Sequence, residues 1–402
     1  MRSISSNIDF LNWTITDYDP DHSVQQATKN TNWGKLCQLA STLNNGLPCV
    51  LLDKPATNGG FNLVRLLEFS DGTRWIARIP LRCSTADSTK LQSEVDAMQL
   101  VQECSAVPIP KIFAYEVDGN NPIGVPFVLM EFLLGNTAID AAGGWDVHKG
   151  EIPLAHRDVF YSSVAECHVQ MTALRFSKIG SIVRMASGKY DIGPLPNIGG
   201  PFSTASSFFA AWADHAKFPS DGERILQLMA GGPAKEVLEG INEFPSRVKS
   251  MVPQLCRTKT DHGPFPLCHV DLFHSNIIVD DNFKTLGIID WAGTCTVPWQ
   301  VVSCPPFLRC MPVSFDLPDK YDCDGKPIDA EDKQRWKERQ DYAEMVRLAE
   351  RATSNDNMLS TCLSDEISQT LAYVVTAYEN GKMGFYNRVM DDLERILKQV
   401  DY

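Results

Sequence analysis

The stretch that most constrains this chain is Leu267-Cys-His-Val-Asp-Leu-Phe-His-Ser-Asn276, followed closely by Ile288-Ile-Asp-Trp291. Between them apolar Ile277-Ile278-Val279, a turn cluster at Asp280-Asp281-Asn282 and apolar Leu286-Gly-Ile-Ile289 predict a β-hairpin. A turn centred near residue 283 sets Asn276 opposite Asp290, with paired Cα atoms about 4.5–5.5 Å apart. Two hard oxygen side chains then meet at the open end of the hairpin. That suits Mg²⁺, which takes one or two protein oxygens and completes its shell with water and phosphate. Asp271, five residues before Asn276, can act as a base toward a hydroxyl proton, and His269 stands two residues before it. Ordinary loop residues beside a buried hairpin would explain either half alone. Both halves at this spacing favour chemistry.

The chain upstream predicts a small antiparallel meander and one helix. Cys49-Val-Leu-Leu52, 61–69 and 74–79 read as strands, separated by Thr57-Asn-Gly-Gly60 and Ser70-Asp-Gly72. Gly59 and Gly60 make a hairpin turn, and without a Cβ their backbone could also approach phosphate oxygens. The segment 88–104 carries Leu91, Val95, Met98 and Val101 on one helical stripe with Glu94 beside it. An ion pair between Arg78 on the third strand and Glu94 would fix a guanidinium over phosphate oxygens. The alternative is an exposed Arg and an exposed Glu that never meet. Pro108-Ile-Pro110 ends the helix and opens a second hairpin, 111–117 with 126–132. Beyond Gly135 the pattern turns helical, at 155–174, 204–215, 222–229, 234–249 and again after residue 329. His168, on the first of these, reads as a core or boundary histidine. Residues 177–203, rich in Gly, Pro and Ser, read as a long loop over the cleft.

The spacing His269-x-Asp271-x4-Asn276, then Ile-Asp290-Trp, resembles the catalytic loop and metal-binding segment of the aminoglycoside phosphotransferase family. The phrases Phe176-Ser-Lys-Ile-Gly-Ser181 and Ile192-Gly-Pro-Leu resemble its fungal members. This resemblance implies an α+β, protein-kinase-like bilobal fold, with an antiparallel-sheet N-terminal lobe over 1–131 and a mainly helical lobe over 132–402. It implies Asp271 as catalytic base, Asn276 and Asp290 as Mg²⁺ ligands, and His269 as support for the loop. Asn62 would assist the Gly59-Gly60 turn, and Arg78 would stand where a kinase has its phosphate-pairing lysine. Glu131 and Leu133 would offer a carbonyl and an N–H to an adenine edge, although an edge strand leaving the sheet explains those residues equally well. The implied reaction is phosphoryl transfer to a small-molecule acceptor, most simply a hydroxyl, with ATP or GTP as donor. Two rivals stay open: phosphorylation that only activates the substrate for cyclisation, elimination or amide formation, and a nucleotide-binding scaffold with weak or no turnover. The second is motivated by the departures at Gly59-Gly60 and Arg78 from the Gly-x-Gly-x-x-Gly and lysine of kinases.

Bulk properties bound the rest. A chain of 402 residues with a net charge of −13 predicts two lobes and no affinity for nucleic acid or an anionic membrane. No run of eighteen apolar residues predicts a membrane span. Residues 1–30 lack a basic n-region and an apolar h-region, so no secretory signal and a cytoplasmic location are expected. Twelve cysteines without a Cys-x2-Cys pair read as reduced thiols. The Glu- and Lys-bearing helices after 329 read as solvated faces, with acceptor-amine binding by their acids as the alternative.

Overall fold

The structure is a computed structural model and describes residues 22–52, 57–82, 84–229, 232–256 and 259–400. In chain order it begins with helices α1 (Ser23–Asn30) and α2 (Trp33–Leu43) and strands β1 (Cys49–Leu51), β2 (Thr57–Asn58), β3 (Asn62–Phe69) and β4 (Arg74–Pro80). Helix α3 (Thr85–Cys104), β5 (Ile112–Glu116), β6 (Phe127–Glu131), β7 (Asn136–Thr137), α4 (Gly144–His148) and α5 (Arg157–Ala173) follow. Next come β8 (Arg175–Phe176), β9 (Gly180–Arg184), β10 (Tyr190–Gly193), α6 (Ala205–His215), α7 (Gly222–Leu228) and α8 (Ala234–Leu255). Strands β11 (Phe265–Cys268), β12 (Ile277–Val279), β13 (Thr285–Ile288) and β14 (Cys295–Thr296) precede α9 (Ala330–Ala352), α10 (Met358–Ser364), α11 (Glu366–Glu379) and α12 (Tyr386–Val400).

Two compact units result, one of residues 1–160 and 274–293, the other of 161–273 and 294–402. The sequence reading divides the chain after residue 131; contacts instead carry the first unit on to Phe160 and return the 274–293 hairpin to it. The cause is local pairing. Strand β7 adds to β12, with Ile278 opposite Thr137, so the chain just past the expected link is tied to the hairpin. Gly135 allows that approach. A Cβ there would lie 2.5 Å from the Val279 carbonyl oxygen and 2.8 Å from the Ile278 side chain. A Gly135→Ala chain should therefore lose roughly 1–3 kcal/mol of stability through overpacking, read as a lower urea midpoint.

In the first unit an antiparallel sheet runs β1-β3-β4-β6-β5, with β2 pairing β3. One face packs Leu63, Leu67, Ala77 and Leu129 against Leu36 and Ala40 of α2. The other receives Leu91 and Val95 of α3 against Val128 and Met130. Each such side chain, fully buried, stabilises by about 1.5–3 kcal/mol. Helix α3 starts at Thr85, ahead of the expected 88, because Ser84 caps it in a reciprocal box with Asp87. The sequence pattern sees the apolar stripe and not the polar first turn.

The second unit is mainly helical around Phe209, Trp212, Phe244, Tyr378 and Tyr386. The expected loop at 177–203 contains the hairpin β9–β10, which joins a sheet ordered β10-β9-β14-β11-β8. Ile182 and Ile192 are buried there and paired across the hairpin. Turn residues dominate the composition and mask the short alternating run between them. His168 is a buried histidine, its Nδ1 3.1 Å from the Tyr342 hydroxyl. Burial depresses its pKa to about 4. Among the described residues no helix is long and apolar enough to cross a membrane. The eleven described cysteines are free, all but Cys104 and Cys323 at least partly buried.

Candidate active site

The hairpin forms as its sequence dictates, with one correction. Ile277 pairs with Ile288, and the Ile289 N–H donates to the Asn276 carbonyl at 2.9 Å. Asn276 therefore stands opposite Ile289, and Asp290 lies one residue further along. The expected pairing slips because Val279 pairs with Thr285, which centres the turn near residue 282 and would leave Asp290 two places past Asn276's partner; a bulge at Leu286 takes back one of those two places. Asp290 adopts a left-handed backbone, φ 59°. Asp and Asn tolerate that region better than most residues, at a modest cost. The next residue clamps it: Trp291 is fully buried and its indole N–H donates to the Ile288 carbonyl at 2.9 Å.

Within the first unit Asn276 and Asp290 line a cavity of about 440 Å³ together with Gly59, Gly60, Asn62, Arg78, Glu131 and Leu133. Eight of the residues singled out from sequence thus share one wall system. Glu94 stands directly behind it. Arg78 lies mid-strand on β4, paired with Val64 and Val128. Its Nη1 donates to Glu94 Oε1 at 2.7 Å, the two side chains being 9% and 6% exposed. The expected ion pair is therefore made and buried. Burial alone would pull the guanidinium's pKa down. The charge and hydrogen bond of Glu94, with the charge of Asp290 behind them, outweigh it and hold the pKa above the ordinary arginine value.

Arg78 has donors to spare. Its Nε and Nη2 are buried and make no hydrogen bond among the described residues. An unmet buried donor costs about 1–3 kcal/mol, more when charged. Oxyanions in the cavity would meet both at once. The turn at Gly59 and Gly60 is closed by the Gly59 N–H donating to the Asn62 carbonyl at 3.1 Å. Among the described residues a Cβ at either glycine would meet nothing within 4 Å, so no packed neighbour there requires glycine. Asn276 and Asp290 supply the oxygen donors that Mg²⁺ accepts beside phosphate, so the residues present fit nucleotide and metal.

The lining also includes apolar Val64, Ile76, Met98, Met130, Ile278 and Ile289, a surface suited to a base ring. These residues escaped the sequence reading, yet a signal exists. Ile76 and Arg78 share one face of β4, and Met130 is the cross-strand partner of Ile76. Thr137 and Asp140, joined by a 2.6 Å hydrogen bond, also line the cavity and carried no recognisable pattern. The Glu131 N–H is spent in the sheet, donating to the Lys111 carbonyl at 2.8 Å. The Leu133 side chain packs where a Cβ on Gly287 would lie, 2.1 Å from its Cδ1, so glycine at 287 makes room for the linker.

Asp271 and His269 belong to the second unit. His269 is buried at the end of β11, 5% exposed, and Asp271 is exposed on the loop that follows.

A twisted antiparallel sheet with a buried Arg–Glu pair to its helix, followed by a short hairpin bearing Asn and Asp, is the plan of the protein-kinase-like α+β class. The family model of the phosphotransferase enzyme family matches residues 54–299, and the chain belongs to that family. A relative from Saccharomyces cerevisiae, altered inheritance of mitochondria protein 9, mitochondrial, is 25% identical over 309 residues, 62% of this chain and 48% of its own length. A subtelomeric hrmA-associated cluster protein of Aspergillus fumigatus is 35% identical over 79 residues, 20% of this chain and 16% of its own. Among solved structures, a putative aminoglycoside phosphotransferase from Ralstonia eutropha covers 89% of this chain and 97% of its own, with 13% identity and a TM-score of 0.48. The chain spans about half the length of the yeast relatives it matches. Those relatives are named as mitochondrial, which overturns the expected cytoplasmic location. A basic n-region with an apolar h-region marks secretory export alone, so their lack in residues 1–30 says nothing about a mitochondrial destination.

Proposed function

We propose that the chain is an ATP- and Mg²⁺-dependent phosphotransferase acting on a hydroxyl of a small molecule. The observation that carries this is the pair of unspent Arg78 donors on the wall that also presents Asn276 and Asp290. Arg78, braced by Glu94, binds and orients the phosphates. The Gly59-Gly60 turn leaves room for them, and the apolar side chains of the lining exclude water around the base. Asn276 and Asp290 would hold Mg²⁺, which when bound neutralises phosphate charge. Asp271 orients the acceptor hydroxyl and takes its proton, while buried His269 steadies the loop. Transfer of this kind is mostly positioning and charge neutralisation, so few residues need to be fixed. The name carried by the yeast relatives supports a mitochondrial setting.

Thermal unfolding with saturating Mg·ATP tests the reading. At a hundredfold excess over Kd the chain should gain about 2.7 kcal/mol. Arg78→Met should forfeit most of that gain. No stabilisation by Mg·ATP or Mg·GTP would remove the nucleotide site from consideration. A metabolite screen for the mass gain of one phosphate then separates lasting transfer from transient activation.

A further inference from the structure

The second unit holds a cavity of its own, about 270 Å³, which the sequence reading did not anticipate. Its charged lining is Arg309, Arg335 and Lys382 against a single carboxylate, Asp332. That excess of positive charge stands in a chain whose net charge is −13. Arg335 is matched by Asp332 at 3.0 Å. Lys382 donates to the Tyr373 hydroxyl at 2.6 Å and is therefore held in place without being neutralised by it. Arg309 is the telling group. Its Nε donates to Ser303 Oγ at 3.1 Å and the Cys304 carbonyl at 3.4 Å, and among the described residues no carboxylate pairs with it and its Nη groups find no hydrogen-bond partner.

Arg309 is half-buried, and a cation partly withdrawn from water without a counter-ion is costly, a cost that an anionic ligand relieves. Burial pulls the Arg309 pKa below its ordinary value, while Cys268, Cys304 and then Asp271 act in the opposite sense. Asp271 is thus near enough for its charge to bear on the same guanidinium that lines the cavity. Trp336, Tyr321 and Tyr373 add flat surfaces to the lining.

We infer that this cavity is the acceptor pocket and that the acceptor is a small hydroxylated anion, its carboxylate or phosphate group seated on Arg309 and Lys382 and its hydroxyl directed to Asp271. The planar fork of Arg309 bonds either oxyanion through two nitrogens at once. The inference rests on Asp271 serving as the base. It also replaces the idea that acidic side chains of the last helices bind an amine, since the only acid on the lining is already bridged to Arg335. Phosphate passes from the nucleotide's γ-position to the hydroxyl oxygen, the hydroxyl proton passes to Asp271, and the nucleoside diphosphate leaves.

The test uses the full chain with four sugars of one skeleton: glucuronate, glucose 6-phosphate, glucose and glucosamine. Binding is followed by calorimetry with and without Mg·ATP, and transfer by ³¹P NMR. The two anions should bind more tightly than the neutral and amino sugars. Arg309→Met should weaken them about tenfold or more, the loss of one charge-assisted contact. Lys382→Met, at an exposed position, should do so too and guards against misfolding of the first variant. Mg·ATP affinity should be unchanged in both. If neither anion binds better than glucose and glucosamine, or if both variants bind the anions as the parent does, the pocket assignment is wrong. Anion binding lost in the variants, with no phosphate transferred by any chain, would uphold the pocket and count against phosphotransfer.

Discussion

An Asp271→Ala chain is expected to bind Mg·ATP as tightly as the parent and to transfer phosphate about 10²- to 10⁴-fold more slowly, the contribution of a positioned general base. Asp271 is exposed and lies outside the cavity lined by Arg78, Asn276 and Asp290. None of the three groups proposed to hold the nucleotide and metal is itself removed. The effect should therefore fall on kcat and spare nucleotide affinity, the pattern of an interaction made only in the transition state. Asp271→Asn sharpens the test, because the amide keeps the shape and cannot take the proton. Initial rates and a nucleotide titration on the same preparations are sufficient. A variant that turns over at the parental rate would mean that another group accepts the proton.

Glu94→Ala should be the most destabilising single change near the site. Truncation leaves the Arg78 guanidinium, already short of partners at Nε and Nη2, as an uncompensated buried charge. Breaking a buried pair in this way costs about 3–5 kcal/mol. Glu94→Gln keeps a hydrogen-bond acceptor and should cost less. Urea unfolding gives the difference directly. Mg·ATP should recover part of the loss, because phosphate oxygens supply the negative charge that the missing carboxylate no longer does. Parental stability in Glu94→Ala would show that Arg78 finds another counter-charge, and the role given to the pair would fall with it.

The legible parts of this chain are those written in local pattern. Val95 and Leu91 repeat at helical spacing, so α3 and the placement of Glu94 could be read. Ile277 to Ile289 alternates around an Asp-rich turn, so the hairpin could be read too. What pattern cannot carry is the fine register. The turn closes one residue earlier than its Asp cluster suggests and a bulge at Leu286 takes back half of the shift, so Asp290 ends one place past Asn276's partner, and nothing in the side-chain types announces it. Nor does composition reveal pairings made across long stretches of chain. Arg309 sits in a Cys- and Pro-rich segment with no periodicity, and it gains meaning only when Arg335 of α9 and Lys382 of the connection between α11 and α12 line the same space. The hairpin β9–β10 was hidden for a related reason: its strands are short, and its partner β14 lies about a hundred residues away.

The backbone at Asp290 has a consequence for how this protein can be altered. Glycine would occupy that left-handed position without strain, whereas aspartate holds it against a small conformational preference. On the metal-holding role proposed for Asp290, a substitution that relaxed the main chain there would make a sturdier molecule and an idle one, since the carboxylate would vanish with the tension. Selection for thermal resilience and selection for catalysis pull in opposite directions at this residue.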